Sequence, residues 1–383
     1  MRWVTYFPEI HNVHLSKDVG MLPHYMGMEA GVESSLVGHF PKAAYPALNQ
    51  ELKGLNIHPL GQGAKAVFLE KSFLRYLKAE AKKIDVLQLY HLSRDTIIYG
   101  LYYKRHHPEG KLYLKLDAYN THLSTPKNYS RNKLKNAAMK IAERKFIKAL
   151  HLVSIENTVG KALASNTYPD WAHKLIYLPN GTNDRYIDTH FAGLPPKENL
   201  LLCVSRPGSA DKNCELLIAA LEHLHLPQGW RIEVVGPCSD EFLKKWRAAK
   251  QAFPETSALI TFTGEVSDRL ALYKRFARAA VFFLPSRFES FGIAYAEALY
   301  FGAVLAGHRG MFAYDDLSAN GSFGTYYTDN APQSFANALN EAVLLSQKEG
   351  MADAVRKHGR AHFAWSHIVE RLVEKLNEPL LNH

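Results

Sequence analysis

Short apolar runs recur along the chain, and each is followed by a longer stretch with helical spacing. In the first half the runs are Val4–Phe7, Ser34–Val37, Asp85–Tyr90, Tyr113–Leu116 and Leu150–Ile155. In the second half they are Leu200–Val204, Ile232–Val235, Ile260–Thr263, Val281–Leu284 and Val304–Ala306. Near-continuous apolar runs alternating with helical patterns predict parallel strands joined by crossover helices. Two such sets predict an α/β chain with two Rossmann-like, doubly wound sheets. The segment 180–197, rich in Pro and Gly, is the best linker between them. There is no repeat of solenoid period and no low-complexity tract.

Size agrees with two cores: the chain has 383 residues, of which 47% are hydrophobic. Ligands of doubly wound sheets bind beyond the carboxyl ends of the strands, so two such sheets facing each other would share one cleft. The three cysteines, Cys203, Cys214 and Cys238, show no paired metal-ligand spacing, which fits packing residues in a reducing compartment. No apolar run approaches the roughly 20 residues that span a bilayer. Met1-Arg-Trp-Val-Thr-Tyr reads directly into a strand and not into a signal peptide. A cytoplasmic protein is expected.

The most informative stretch is Leu284-Pro-Ser-Arg-Phe-Glu-Ser-Phe-Gly-Ile-Ala-Tyr-Ala-Glu-Ala-Leu, which places Glu289 and Glu297 around a helix start that follows a buried strand. Exposed amides and the positive end of the helix dipole favour an anion there, phosphate above all, and Gly292 lets backbone approach a ligand. Eight residues of helix rise about 12 Å, whereas paired glycosidase carboxylates sit roughly 5 to 9.5 Å apart. A hydrolase dyad is therefore disfavoured, and two acids flanking an anion site suit grips on sugar hydroxyls.

Glu-x7-Glu after Pro-Ser-x-x, with Phe-Gly inside it, resembles the hallmark of the retaining GT-B glycosyltransferases of family GT4. The resemblance extends to Leu200-Leu-Leu-Cys-Val-Ser-Arg-Pro-Gly-Ser-Ala-Asp-Lys, which looks like the family's strand and loop, and to Leu178-Pro-Asn-Gly, where the family's following Val-Asp is Thr182-Asn183. It covers roughly 178–310 with specific motifs and the first half only in outline. It implies a GT-B fold, two Rossmann-like domains facing across a cleft: 1–185 for the acceptor, joined by the C-terminal helix 366–383, and 186–365 for the nucleotide sugar. It also implies that Glu289 contacts the donor sugar and Glu297 the ribose. The backbone of Ser290, Phe291, Gly292 and Ile293 would meet sugar and phosphate, Arg206 and Lys212 would hold the pyrophosphate, and Gly236 and Val266 would lie on the nucleotide side, with Val266 backbone near the base. An Arg fork and a Lys point charge suit a departing diphosphate.

On the acceptor side the resemblance points to the loop His14–Pro23 after the first strand, with Lys17 and Asp18 as candidates, although the family's Gly-Gly is missing there. Asp117, after the fourth apolar run, stands where relatives carry a His or Asp near the reacting sugar; an end-of-strand Asp also serves as a turn residue. The implied activity is retaining transfer from a nucleotide-diphosphate sugar, UDP-linked, to a saccharide or lipid-linked acceptor in surface polysaccharide or glycolipid synthesis. No metal or other cofactor is expected, and the sequence contains no Asp-x-Asp. The alternative is a glycosyltransferase-like partner or chaperone subunit without catalysis, against which the full set of Arg206, Lys212, Glu289 and Glu297 argues.

The net charge of +9 needs its own explanation. Residues 127–150 hold much of it: Lys133, Lys140, Arg144 and Lys148 share one helical stripe, and Leu134, Ala138, Ile141 and Ala142 another. Such a segment can rest on the anionic inner face of the cell membrane. It can equally be a surface helix with its apolar stripe in the core. Nucleic acid is not an expected partner, because neither paired zinc-ligand spacings nor an aromatic RNA-binding signature accompanies the charge. His358 and His362 lack the Glu that a zincin helix requires and read as solvated helix residues.

Overall fold

Each of the ten apolar runs overlaps a strand. The first sheet contains β1 (Arg2–Glu9), β2 (Glu33–His39), β3 (Asn56–Pro59), β4 (Val86–Tyr90), β5 (Lys111–Leu116), β6 (Leu152–Ile155) and β7 (Leu175–Tyr177). The second contains β8 (Glu198–Val204), β9 (Arg231–Val235), β10 (Ile260–Gly264), β11 (Ala279–Phe283), β12 (Val304–His308) and β13 (Gly324–Tyr327). Their orders are β3-β2-β1-β4-β5-β6-β7 and β10-β9-β8-β11-β12-β13, parallel throughout. Every residue of β4 and of β11 is buried, as expected of strands covered by helices on both faces.

The structure, a computed structural model, describes residues 1–61, 69–117 and 128–378. They form two units: Met1–Asn183 together with the chain from Trp365 onward, and Asp184–Ala364. In the first unit the helix Trp365–Asn377 buries Trp365, Ile368, Val369, Leu372 and Leu376, a stripe of helical period. It packs against the helix Asp18–Glu29. Each such side chain contributes about 1.5–3 kcal/mol relative to exposure. Polar contacts fix its ends: Trp365 N donates to Thr182 O at 3.2 Å, and Lys111 Nζ donates to Leu376 O at 2.6 Å.

Four sequence expectations change. The three strands that no apolar run announced, β3, β7 and β13, all lie at sheet ends, where a strand is short and half solvated. The expected loop His14–Pro23 is helical, as Asn12–Leu15 and Asp18–Glu29. Pro23 sits inside the longer helix, whose buried Val19, Leu22, Tyr25 and Met26 hold it in the core. The segment 127–150, described from residue 128, contains the helix Lys133–Ala149, but its buried residues are Glu143, Phe146 and Ile147. Leu134 and Ile141 are 83% and 57% exposed, so the stripe expected in the core faces solvent. His358 is not a solvated side chain: it is half-buried and its Nε2 lies 3.1 Å from Leu317 O. Cys203 and Cys214 are buried, Cys238 partly so, and all three are free thiols. No described helix is long and apolar enough to cross a membrane.

Candidate active site

The strand order of the second sheet reverses between β8 and β11, and a crevice forms at such a switch point outside the strands' carboxyl ends. The loops that follow these two strands carry Arg206, Lys212 and Glu289, and three bonds tie them together. Arg287 N donates to Asp211 O at 3.0 Å, Asn213 Nδ2 donates to Pro285 O at 3.3 Å, and Lys212 Nζ meets Glu289 Oε1 at 2.5 Å. Ser286 Oγ donates to the same Glu289 oxygen at 2.9 Å. Lys212 and Glu289 are 22% and 13% exposed, so the pair is shielded but reachable. Arg206, at the start of its loop, is exposed to solvent. Gly236 closes the turn after β9 with φ +137°, where a Cβ would lie 1.7 Å from Ser205 O; its N–H donates to Gly264 O at 2.8 Å. Val266 follows β10, with its side chain partly buried against the core.

The helix Ile293–Phe301 starts at Gly292, whose φ is +81°. That left-handed conformation disfavours other residues, and a Cβ would also meet the Tyr295 ring at 2.8 Å. The helix start, whose first amides lack an intrahelical partner, directly follows the loop that holds Glu289. Phe291 is buried and faces Phe363, with ring centroids 6.1 Å apart, so its side chain packs and its backbone is what the site can use. Ser290 and Ile293 are partly buried. Glu297, one turn further on, pairs with Arg269, whose guanidinium lies 4.5 Å from the Tyr273 ring centroid. Sequence reasoning missed Arg269, because its link to Glu297 spans the strand β11 and leaves no local pattern.

In the first sheet the reversal lies between β1 and β4. A cavity of about 340 Å3 opens there, lined by Tyr6, Phe7, Tyr90, His91, Asp95 and Tyr99 among others. Lys17 caps the helix Asp18–Glu29 and is exposed. Asp18 is its first residue and pairs with Lys115 at 3.3 Å; Lys115 is only 1% exposed. Leu116 of β5 is in register with Ile155 of β6, so the next residues, Asp117 and Glu156, emerge side by side. Asn180 Nδ2 donates to Glu156 Oε2 at 2.6 Å. Burial, then the neighbouring Asp117 charge, push the Glu156 carboxyl up to about 8, against the pull of Lys115. Glu156 is a second residue that sequence reasoning missed; the available signal was its place after a strand adjacent to the one ending at Asp117. Asn183, where the resemblance expects Asp, is structural: its Oδ1 accepts from Tyr25 Oη at 2.7 Å and its Nδ2 donates to Glu51 O at 3.3 Å.

Two parallel sheets of this topology, with candidate site loops at their switch points, are those of the GT-B class of glycosyltransferases. Residues 187–377 match the family model described as glycosyl transferases group 1, and the chain belongs to that family and is a glycosyltransferase. The fold is shared with solved structures across nearly the whole length. A lipopolysaccharide outer core galactosyltransferase, WaaB, is 12% identical, with 98% of this chain and 99% of that one covered and a TM-score of 0.68. A glycosyltransferase from Rickettsia africae is 14% identical over 100% and 99%, with a TM-score of 0.70. HepE of Anabaena is 14% identical over 98% and 99%, with a TM-score of 0.67. No curated protein matches the chain in sequence.

Proposed function

We propose that this chain moves a sugar from a nucleotide-diphosphate donor, UDP-linked, to a saccharide or lipid-linked acceptor with retention of anomeric configuration. The observation that carries the reading is the convergence of Lys212 and Glu289 beside the helix start at Gly292, at the switch point of the second sheet. A diphosphate placed there would meet Lys212, Arg206 and the first-turn amides, while Glu289 grips the sugar and Glu297 the ribose. The bond from the anomeric carbon to the phosphate oxygen breaks as the bond to the acceptor oxygen forms on the same face. The acceptor's proton passes to the leaving phosphate, so no protein base is required. Charge stabilisation and placement then supply the catalysis, and these cations can perform it without a metal. The donor assignment is supported by HepE, solved with UDP and with UDP-glucose. A surface polysaccharide or glycolipid pathway is supported by the similarity to WaaB and to WaaG, a glycosyltransferase involved in lipopolysaccharide biosynthesis. On the acceptor side Lys17, Asp18 and Asp117 are the proposed contacts, and the aromatic walls of the first unit's cavity suit the C–H faces of a sugar ring.

The test is release of nucleoside diphosphate over a panel of sugar donors with oligosaccharide and lipid-linked acceptors, with product anomers read by NMR. The expected result is release with a UDP-sugar, unchanged by EDTA, and a product of the donor's own anomeric configuration. Release with no donor would leave a silent partner or chaperone subunit, and an inverted product would remove the retaining mechanism.

The protein is further proposed to be cytoplasmic and to rest on anionic membrane through the helix Lys133–Ala149. Exposed Leu134 and Ile141 stand among exposed Lys133, Lys135, Arg144, Lys145 and Lys148, a combination that binds interfaces by charge and shallow apolar burial. Lys127, at the start of the expected basic segment, lies outside the described residues. The protein should sediment with anionic vesicles at low salt, and the double variant Leu134→Glu, Ile141→Glu should stay in the supernatant. Equal sedimentation of the two proteins would exclude this surface.

A further inference from the structure

Asn213 follows Lys212 directly and stands just before the helix Glu215–Ala219, with φ +50°. That left-handed conformation is costly for L residues, and Asn and Asp adopt it more readily than others that carry a side chain. The Asn213 N–H donates to Ser209 O at 3.1 Å and closes the turn that carries Lys212, while its carbonyl accepts from Leu216 N at 2.9 Å. The backbone of Lys212 is thus held from the residue after it. Asn213 is only 6% exposed, and its Nδ2 donates to Pro285 O at 3.3 Å, in the loop that leads to Glu289. Of the bonds that join the two loops, Arg287 N to Asp211 O runs from backbone to backbone. The side-chain links are the Asn213 amide and the Lys212–Glu289 pair itself. A lysine is a point charge on a flexible stem, so the pair is only as well placed as the two backbones that present it.

We infer that Asn213 is a positioning residue: its left-handed backbone and its buried amide set the place of Lys212 relative to Glu289, and so the place where the cation meets the departing diphosphate. The effect on transfer rests on the role proposed above for Lys212; the effect on the ion pair does not.

Two measurements separate these parts. Asn213→Gly keeps the left-handed conformation without steric cost and removes only the amide. Its kcat should fall about 3- to 10-fold with donor KM unchanged, the effect of one hydrogen bond between neutral groups. In a Lys212→Ala background the same substitution should change kcat no further, because the residue it positions is gone. No loss in the otherwise wild-type enzyme, or an equal loss in both backgrounds, overturns the positioning role. Asn213→Asp keeps the shape and the conformation, but an ionised carboxylate has no proton to give to Pro285 O, so it should be slowed at least as much as the Gly variant. An Asp variant with wild-type kcat also overturns the inference. Melting temperatures read the pair without any turnover: Lys212→Ala and Glu289→Gln should be coupled in the wild-type protein, and the coupling should shrink in the Asn213→Gly background. Equal coupling in the two backgrounds overturns the positioning of the pair, whatever the activity. If no donor is turned over but the coupling shrinks, the proposed function fails and the placement of Lys212 by Asn213 stands.

Discussion

Lys212→Ala should lower kcat by about 10²- to 10³-fold while donor KM changes only a few-fold, the range for removing one preorganised group that stabilises developing charge. On the proposed function the loss should fall on kcat, because the demand for a cation grows as the diphosphate departs, whereas the bound donor would also be held through sugar and ribose. The structure adds a second cause. Lys212 is the cation paired with Glu289, and without it a shielded carboxylate, held otherwise by Ser286, would stand beside the anionic leaving group. Arg206→Ala should also slow turnover but by less, because the exposed Arg206 acts through water-screened contacts. Steady-state release of nucleoside diphosphate measures both variants. A Lys212→Ala enzyme with unchanged kcat would remove this lysine from the leaving-group site.

Glu297→Ala should act mainly on affinity, weakening binding of the donor nucleotide about 10- to 100-fold, the effect of losing a hydrogen bond between a charged group and the ribose. It should also lower the melting temperature. Glu297 is 6% exposed and Arg269 18%, so truncation strands a guanidinium in a poorly solvated place, at a cost of about 3–5 kcal/mol for a fully buried pair. Arg269 retains its contact with the Tyr273 ring, and the large core of the second unit around it should keep the variant folded for titration calorimetry. Unchanged affinity for the nucleotide would separate Glu297 from the ribose and leave it a purely structural ion pair.

The sequence made the central strands readable because β4 and β11 are buried on both faces and so are apolar apart from Gln88, which hydrogen-bonds to Trp3 and Thr5. It hid β3, β7 and β13 because an edge strand of three or four residues has no such run. The stretch expected as a loop through Pro23 is helical, because tertiary packing of Val19, Leu22 and Tyr25 outweighs one missing backbone bond. For the site, the resemblance gathered Lys212 and Glu289 into one place; that they pair directly depends on the meeting of two loops 77 residues apart. Arg269 was out of reach for the same reason, since it takes its meaning from a neighbour on another element, whereas Glu156 had a signal in its place after a strand. The helix Lys133–Ala149 shows the opposite case: periodicity found its two stripes, but which stripe meets the core depends on what lies beneath it.

The helix Trp365–Asn377 has a consequence for biogenesis. The first 183 residues leave the ribosome with their sheet ready to form, but part of their core is supplied by Trp365, Ile368, Leu372 and Leu376. The second unit must be translated in between. The first unit is thus completed only after the second has been translated, and until then its apolar surface for this helix stays uncovered.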